Sequence, residues 1–404
     1  KVYDALAGRY GFGRSRLLSR EETVEHLPTI ETDGLRGGVV YHDGQFDDTR
    51  LLVHLLVTAA EQGACVLNYV RVSGLVKNAS GFVTGVRAED LEGGAEFEAA
   101  ARVVVNATGV FTDAVRRMDD PQARAMIRPS QGVHLVLPRA FHPGDAAIMV
   151  PHTDDGRVLF AVPWHEVVVV GTTDTPVDEA SLEPRPLEEE VAFLLEHAAR
   201  YLTRDPTPAD VLSVFAGLRP LVSAGDADDD TAALSRDHTL QIAPSGLVTI
   251  TGGKWTTYRR MAEDTVDHAA VCGELEPREC VTRELRVHGY HAHAERFGRR
   301  AYYGTDATEI ETLEDADPEM AEPVHPRLPY TRAEVVWAAR EEMARTVEDV
   351  LARRTRALLL DARAAAEAAP GVAALLADEL GRDSDWAERQ VNDFRALAEG
   401  YLVR

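Results

Sequence analysis

The chain has 404 residues, of which 45% are apolar and 27% are charged. This composition is that of a folded protein and excludes collagen-like and wholly disordered chains. The 43 basic and 67 acidic residues give a formal net charge of −24. Because such a surface repels phosphates, it argues against a general nucleic-acid binder.

Length, hydropathy and cysteine content further limit the class of protein to which the chain can belong. At this length two or three domains are expected. No apolar run reaches the roughly 18–20 residues of a membrane-spanning helix, and the start Lys1-Val2-Tyr3-Asp4 does not resemble a secretory signal. Three cysteines form an odd and sparse set, which indicates a reduced, cytosolic compartment rather than a disulfide framework.

The first third of the chain alternates between helical and extended patterns. A turn-rich start of about forty residues is followed by predicted strands at 39–41, 65–72, 82–88 and 97–105, a helix from Asp48 to a stop at Gly63, and a helix from Thr112. The run Val103-Val104-Val105 is continuously apolar, as in a strand buried on both faces. This order indicates part of a doubly wound α/β nucleotide-binding domain.

From about Arg128 the pattern changes to long β-hairpins. Strands are predicted at 134–137, 158–162 and 167–170, followed by a helix with apolar residues at helical spacing between 191 and 202. This part is predicted to be an antiparallel sheet that covers a site. A further strand at 248–250 leads through a glycine turn into a helix.

Beyond about Arg286 the chain is predicted to be mostly helical. Thr331 and Glu334 form a capping-box pattern, and the alanine-rich residues 362–377 are predicted to be a helix. Other predicted helical features are an apolar stripe through Val336, Met343, Val347 and Val350, and a last helix opened by Asp385 and Glu388.

The segment Gly252-Gly253-Lys254 is the first candidate for chemistry. It lies between a predicted strand and a predicted helix, where backbone N–H groups can face an anion or an electron-rich ring, and Lys254 adds a positive charge. It is not a P-loop, because Trp255 interrupts the Lys-Thr pair. The alternative is a tight turn without a ligand.

Three residues are further candidates: Arg219 and His134 in apolar surroundings, and Arg236 in the polar segment Ser235-Arg236-Asp237-His238. Arg219 and Arg236 could hold a phosphate or carboxylate in bidentate geometry, or could form structural ion pairs, as Arg236 could with Asp237. His134, in an apolar strand, is either a catalytic base or a satisfied core or surface histidine.

Two other patterns do not support a site. His288, His291 and His293 lack a second ligand group at matching spacing, so no metal site is predicted. The Gly11-Phe12-Gly13 segment follows no strand and lacks the third glycine of a dinucleotide fingerprint.

Taken in order, a series of short motifs resembles the family of FAD-dependent, quinone-linked glycerol-3-phosphate dehydrogenases. The matching segments are Asp47-Asp48-Thr49-Arg50-Leu51, Asn106-Ala107-Thr108-Gly109, Gly132-Val133-His134, Pro163-Trp164, Gly171-Thr172-Thr173-Asp174-Thr175, Gly217-Leu218-Arg219-Pro220-Leu221, Ser235-Arg236-Asp237 and Gly252-Gly253-Lys254-Trp255-Thr256-Thr257-Tyr258-Arg259. The resemblance covers nearly the whole chain. The ordered set is specific, although most single members are not.

The resemblance implies an α/β fold (α+β overall) with an interrupted Rossmann-like FAD domain, an antiparallel β-sheet cap domain over the substrate and a C-terminal helical domain. We predict the cap domain at residues 1–44 and 128–224, the FAD domain at 45–127 and 225–285, and the helical domain at 286–404. The family's first strand and G-x-G-x-x-G turn are not found in this sequence. We therefore expect the first βαβ unit of the FAD domain to be absent from this chain.

The activity implied is oxidation of glycerol 3-phosphate to dihydroxyacetone phosphate, with hydride passing from C2 to N5 of FAD and electrons leaving to membrane quinone. By resemblance, Arg219 and Arg236 would hold the substrate phosphate. His134 and Lys254 would lie near the reacting hydroxyl, one as the base and the other stabilising developing charge. The implied cofactor contacts are Val72, near the adenine, and Thr108, Gly109, Gly252, Gly253, Lys254 and Thr256.

The resemblance also implies a cytoplasmic protein in peripheral contact with the inner face of the cell membrane. The oligomeric state is left open, with a homodimer among the possibilities. One alternative is another FAD-dependent oxidoreductase of the same superfamily that acts on an amino or hydroxy acid. The other is a cofactor-free, inactive fragment.

Overall fold

The structure is a computed structural model that describes residues 4, 6, 8, 11–150, 158–222 and 238–403. It is a mixed fold in which antiparallel sheets and a short parallel strand pair are followed by a carboxyl-terminal set of helices. The predicted fold class is confirmed. No helix in the described part of the chain combines the length and hydropathy needed to cross a membrane.

The amino-terminal part combines helices with small sheets. Its elements are β1 (Arg16–Leu18), α1 (Arg20–His26), β2 (Gly38–Val40), α2 (Asp48–Glu61), β3 (Val70–Lys77), β4 (Val83–Asp90), β5 (Glu96–Ala100), β6 (Val105–Asn106) and α3 (Thr112–Asp119). Strands β3, β4 and β5 form an antiparallel meander. The helix predicted from Asp48 is present, and the Asp47 side chain caps it by accepting a hydrogen bond from the backbone N–H of Arg50.

Two strand predictions in this part are wrong. Residues 65–69 are irregular and the strand begins at Val70. The apolar run at 103–105 contributes only its last residue to β6, and Val105 is 41% exposed rather than buried on both faces. Within the described residues β6 pairs with β14 alone, so one of its edges has no neighbouring strand.

Over residues 127–150 and 158–222, as far as the structure describes them, the chain forms a six-stranded antiparallel sheet, here called the cap sheet. Its strands are β7 (Ile127–Pro138), β8 (Ile148–Val150), β9 (Leu159–Trp164), β10 (Val167–Gly171), β11 (Thr175–Pro176) and β12 (Ser213–Val222). The helix α4 (Glu188–Ala199) lies between β11 and β12 in the chain. The long strand β7 is central and pairs with β10 and β11 on one side and with β12 on the other.

Side chains alternate along β7, so the two faces of the cap sheet pack against different parts of the protein. Val133, Leu135 and Leu137 are fully buried and pack in one cluster with Leu194 of α4. Val136, on the opposite face, packs in a second cluster with the carboxyl-terminal helices. His134 shares this second face because side chains alternate along a strand.

A smaller sheet follows. Its strands β13 (His238–Ile242) and β14 (Val248–Gly252) are antiparallel, and the helix α5 (Tyr258–Cys272) comes next. β14 also pairs with β6 in parallel, with Val248 opposite Val105. This parallel pair is the part of the fold that corresponds to a doubly wound sheet.

The carboxyl-terminal part is helical. Its helices are α6 (Asp306–Ala316), α7 (Arg332–Glu341), α8 (Ala357–Leu360), α9 (Ala362–Leu380) and α10 (Ser384–Glu399), with 3₁₀ turns at Ala294–Tyr303 and a π-helical turn at Asp349–Arg354. The predicted capping box of Thr331 and Glu334 is present, and the alanine-rich segment is helical as predicted. The single stripe through Val336 and Val350 is wrong, because α7 ends at Glu341 and Met343 has a φ of +58°.

A buried ion pair connects α2 to the carboxyl-terminal helices. Arg50 is 3% exposed, and its guanidinium donates to the Glu342 carboxylate and to the carbonyl oxygen of Arg354. It also lies 4.3 Å from the ring centroid of Tyr303, a cation–π contact. Beside this pair, Arg356 donates to Asp47, the residue that caps α2.

We expect Arg50→Met to lower the free energy of unfolding by about 3–5 kcal/mol, because it leaves the buried Glu342 carboxylate without its charged partner. Arg71→Ala is the control, since the Arg71–Glu89 pair is exposed and is worth at most about 1 kcal/mol. Urea unfolding curves of the three proteins provide the comparison. Equal losses in the two variants would contradict a structural role of the buried pair.

Candidate active site

A cavity of about 510 Å³ lies between the cap sheet, the start of α2 and the turn between β14 and α5. It is lined by Gln45, Phe46, Asp48, His134, Val162, Trp164, Val169, Phe215, Lys254, Trp255 and Thr256. Three residues that the sequence suggested separately, His134, Lys254 and Thr256, therefore meet in one place. Its volume is in the range of roughly 300–1,000 Å³ that is typical of small-molecule sites.

The turn between β14 and α5 is built around two glycines. Gly252 and Gly253 have φ values of +74° and +72°, which residues other than glycine rarely adopt. A Cβ on Gly253 would also collide with the sulfur of Met261 in α5. The turn therefore brings bare backbone close to the cavity, and Lys254 directly follows it with an exposed side chain.

His134 lies on the wall of the cavity formed by the cap sheet. Its ring stacks on Phe215 of β12 with centroids 5.2 Å apart, and it lies against Gly171, its partner on β10. Burial lowers the pKa of His134 to about 4, and the nearby Arg219 guanidinium contributes to this lowering. The imidazole is therefore neutral at physiological pH and has a ring nitrogen that can accept a proton.

Arg219 lies on the same face of the cap sheet as His134. In the register of β7 and β12, Arg219 pairs with Ser130 and Phe215 pairs with His134. The Arg219 side chain extends over Gly132, where a Cβ would collide with its guanidinium nitrogens. Two residues of a strand span about 6.6–6.8 Å, so the guanidinium is about that far along the strand from His134.

The guanidinium of Arg219 already has protein partners. It donates to Asp174 Oδ1 at 3.2 Å, to Thr172 Oγ1 at 3.2 Å and to the carbonyl oxygen of Thr173 at 3.3 Å. The ion-pair alternative for Arg219 is thus realised. The side chain nevertheless remains 38% exposed, which leaves part of the guanidinium accessible to an anion.

The remaining predicted residues do not line this cavity among the residues that the structure describes. Arg236 lies outside the described residues. Thr108 and Gly109 follow β6, whose parallel neighbour β14 ends at Gly252, so both turns lie at the same edge of the parallel pair. Val72 is exposed on the meander and does not line the cavity.

Sequence reasoning assigned no role to several residues of the cavity wall. Phe46, Asp48 and Trp164 lie in or beside the matching motifs, but nothing in their local pattern distinguishes a cavity wall from a core. Phe215 was missed because its contact with His134 depends on strand register. The aromatic wall continues around the glycine turn, where the ring centroid of Trp255 lies 6.4 Å from that of Phe46 and 4.9 Å from that of Tyr258.

These residues fit the ring end of a flavin. The positive-φ glycines allow a planar ligand to approach the backbone, and the cavity wall is largely aromatic and aliphatic. Gly252, Gly253 and Thr256 would border the ring, while Thr108 and Gly109 lie at the neighbouring turn. These individual roles stay predictions.

The histidines near residue 290 are held by other contacts. His288 bridges Glu61 on α2 and Asp306 on α6, at 2.7 and 3.0 Å. Across the described ranges, no group of three or more His, Cys, Asp or Glu side chains is arranged to hold a metal ion.

We expect Gly171→Ala to lower the free energy of unfolding by about 1–3 kcal/mol, because the added methyl group overlaps the His134 ring in a packed sheet. Gly217→Ala is the matched control on β12, where an added Cβ meets no atom within 4 Å. Chemical denaturation measures both changes. If the two substitutions were equally tolerated, His134 would not be seated against Gly171.

The low pKa of His134 predicts a pH-dependent stability. The unfolded chain binds a proton near the ordinary histidine pKa of 6.5 and the folded chain only at a pKa of about 4, so stability falls as the pH is lowered between these values. We expect His134→Gln to reduce this loss by about 1–3 kcal/mol. Unfolding free energies of both proteins at pH values of about 7.5 and about 4.5 test it, and parallel pH profiles would contradict the assignment.

Comparison with known proteins agrees with this architecture. The sequence profile of the FAD dependent oxidoreductase family matches residues 1–259, and that of the C-terminal domain of alpha-glycerophosphate oxidase matches residues 248–387. The mitochondrial glycerol-3-phosphate dehydrogenase of Arabidopsis thaliana is 39% identical over 436 residues, covering 99% of this chain and 69% of that protein. The human mitochondrial enzyme is 38% identical over 422 residues, covering 98% of this chain and 58% of its own length.

A solved structure shows the same fold. The glycerol-3-phosphate dehydrogenase of Bacillus halodurans, determined in complex with FAD, superposes with a TM-score of 0.80 at 26% identity over 96% of this chain and 79% of that chain. The chain spans about 58% of the length of the animal mitochondrial relatives that it matches. On these matches, the chain belongs to the family of FAD-dependent glycerol-3-phosphate dehydrogenases.

Proposed function

We propose that the protein oxidises glycerol 3-phosphate to dihydroxyacetone phosphate with FAD as the hydride acceptor. The observation that carries the proposal is the single cavity in which His134, from the cap sheet, meets Lys254, from the glycine turn. Arg219 lies on the same sheet face as His134. Relatives named as glycerol-3-phosphate dehydrogenases support the choice of substrate.

The spacing of these side chains suits a small phosphate ester. The Arg219 guanidinium lies over Gly132, about two strand residues from His134. A phosphate held by Arg219 would therefore place a short carbon chain beside the imidazole. Arg236 is the second proposed phosphate ligand, on the resemblance of its Ser235-Arg236-Asp237 motif to the family.

His134 and Lys254, two of the polar residues that line the cavity, have complementary roles. His134 is neutral at physiological pH and can accept the proton of the substrate hydroxyl. The Lys254 ammonium group can stabilise negative charge that develops on that oxygen. FAD, when bound, supplies the acceptor for the hydride equivalent.

The fate of the electrons is a further proposal. From the family resemblance we propose quinone as the acceptor and a peripheral position on the inner face of the cell membrane for this otherwise cytoplasmic protein. Quinone reduction that requires added membranes or detergent would support this. An enzyme that remains in the supernatant and does not reduce quinone analogues would contradict it. Sedimentation equilibrium would decide whether the protein is a homodimer.

The decisive test of the activity is the visible absorption spectrum of the FAD-loaded protein. We expect anaerobic glycerol 3-phosphate to bleach the flavin band, and glycine or lactate to leave it unchanged. Bleaching by an amino or hydroxy acid alone would favour the related oxidoreductase activity. A protein that takes up no flavin would support the inactive-fragment alternative.

We expect Arg219→Ala to raise KM for glycerol 3-phosphate by about 30-fold or more, because a charge-assisted contact with the phosphate is worth about 2–5 kcal/mol. Arg87→Ala, at an exposed arginine paired with Glu98, is the control and should leave KM unchanged. Steady-state kinetics with an artificial acceptor measure both. An unchanged KM in Arg219→Ala would remove Arg219 from the phosphate site.

A further inference from the structure

A buried carboxylate stands behind the proposed phosphate site. Glu190, in the first turn of α4, is 3% exposed. From the part of the chain that the structure describes, it accepts four hydrogen bonds: from Gln131 Nε2 at 2.8 Å, Thr173 Oγ1 at 2.8 Å, Thr175 Oγ1 at 2.6 Å and the backbone N–H of Leu187 at 3.0 Å. These four donors are neutral groups, so they hold the Glu190 carboxylate by hydrogen bonds and not by ion pairs.

Helix capping alone does not explain this burial. The bond from the N–H of Leu187 is an ordinary capping contact within α4. Glu188 and Glu189 already place negative charge in the same helical turn while remaining exposed, which is the less costly arrangement for a carboxylate. The bonds to Thr173 and Thr175 reach outside the helix and so require a further reason.

These two threonines belong to the segment that holds Arg219. Residues 172–174 connect β10 to β11, and Thr175 is the first residue of β11. Arg219 donates to Thr172 Oγ1, to the Thr173 carbonyl oxygen and to Asp174 Oδ1. Glu190 therefore binds the residues on either side of Asp174.

The same segment also contacts the strand that carries His134. The Thr173 hydroxyl accepts a hydrogen bond from the backbone N–H of Val133 at 3.0 Å while it donates to Glu190. Gln131, two residues earlier on β7, donates to Glu190 as well. One carboxylate thus joins α4, the 172–175 segment and the central strand of the cap sheet.

We propose that Glu190 is a positioning residue for the phosphate end of the substrate. It holds the 172–175 segment in the conformation in which Thr172, Thr173 and Asp174 fix the Arg219 guanidinium over Gly132. Glu190 acts on substrate binding only through Arg219. This inference rests on the proposed function of Arg219 as a phosphate ligand.

The test compares Glu190→Gln with Glu189→Gln in the FAD-loaded protein. Both remove one carboxylate from the first turn of α4, but only the first turns an NH₂ group toward hydrogen-bond donors. We expect Glu190→Gln to raise KM for glycerol 3-phosphate about tenfold while kcat changes less than about threefold. Glu189→Gln should leave both constants within about twofold of the wild type.

A double substitution separates positioning from general destabilisation. In the Arg219→Ala background, Glu190→Gln should raise KM by less than about twofold, because the residue through which it acts is gone. A tenfold rise in both backgrounds, or no rise in either, would overturn the inference. Thr175→Val covers the case in which Glu190→Gln does not fold, because it removes one donor, keeps the carboxylate and should raise KM about threefold. A wild-type KM in Thr175→Val would then overturn the inference.

A measurement without turnover completes the test. Inorganic phosphate should raise the melting temperature of the wild type and of Glu189→Gln, and raise that of Glu190→Gln by clearly less. An equal increase in all three proteins would overturn the positioning role. Failure of wild-type flavin to be reduced by glycerol 3-phosphate would instead contradict the proposed function, and the phosphate-dependent melting temperatures would still decide the role of Glu190.

Discussion

The buried pair of Arg50 and Glu342 is the interaction on which the arrangement of the site depends. Both side chains are withdrawn from solvent, and the guanidinium is further enclosed by the ring of Tyr303. Arg356 and Asp47 form a second link at the start of the same helix. Buried charges tolerate few alternative geometries because each must keep its partner, so these contacts specify how α2 meets the carboxyl-terminal helices.

That constraint extends to the cavity wall. Gln45 and Phe46, just before the helix cap, line the cavity, and the Gln45 amide donates to the carbonyl oxygen of Pro163 at the end of β9. His165, next to the cavity residue Trp164, packs edge-on against Tyr302, with ring centroids 6.0 Å apart. The carboxyl-terminal helices therefore support two walls of a site to which they contribute no lining residue among those that the structure describes.

Local sequence patterns correctly predicted the helices that have a clear capping residue or a clear helical period. The helix after Asp47, the capping box at Thr331 and the alanine-rich helix were found as expected, because a cap or a helical period is encoded within a few neighbouring residues. Elements whose limits depend on distant partners were predicted less well. The apolar run ending at Val105 contributes only that residue to the short strand β6, which has β14 as its sole neighbour in the described ranges.

The sequence by itself determined the fold class, the family and the residue types at the site. Ordered motifs such as Gly252-Gly253-Lys254 identify the family from residue types and their order in the chain alone. Only the tertiary structure decided that His134 stacks on Phe215 and that Arg219 extends over Gly132. The role proposed for Glu190 could not be predicted from the sequence either, because its partners lie in separate parts of the chain. Contacts of this kind follow from strand register and burial, which no short stretch of sequence specifies.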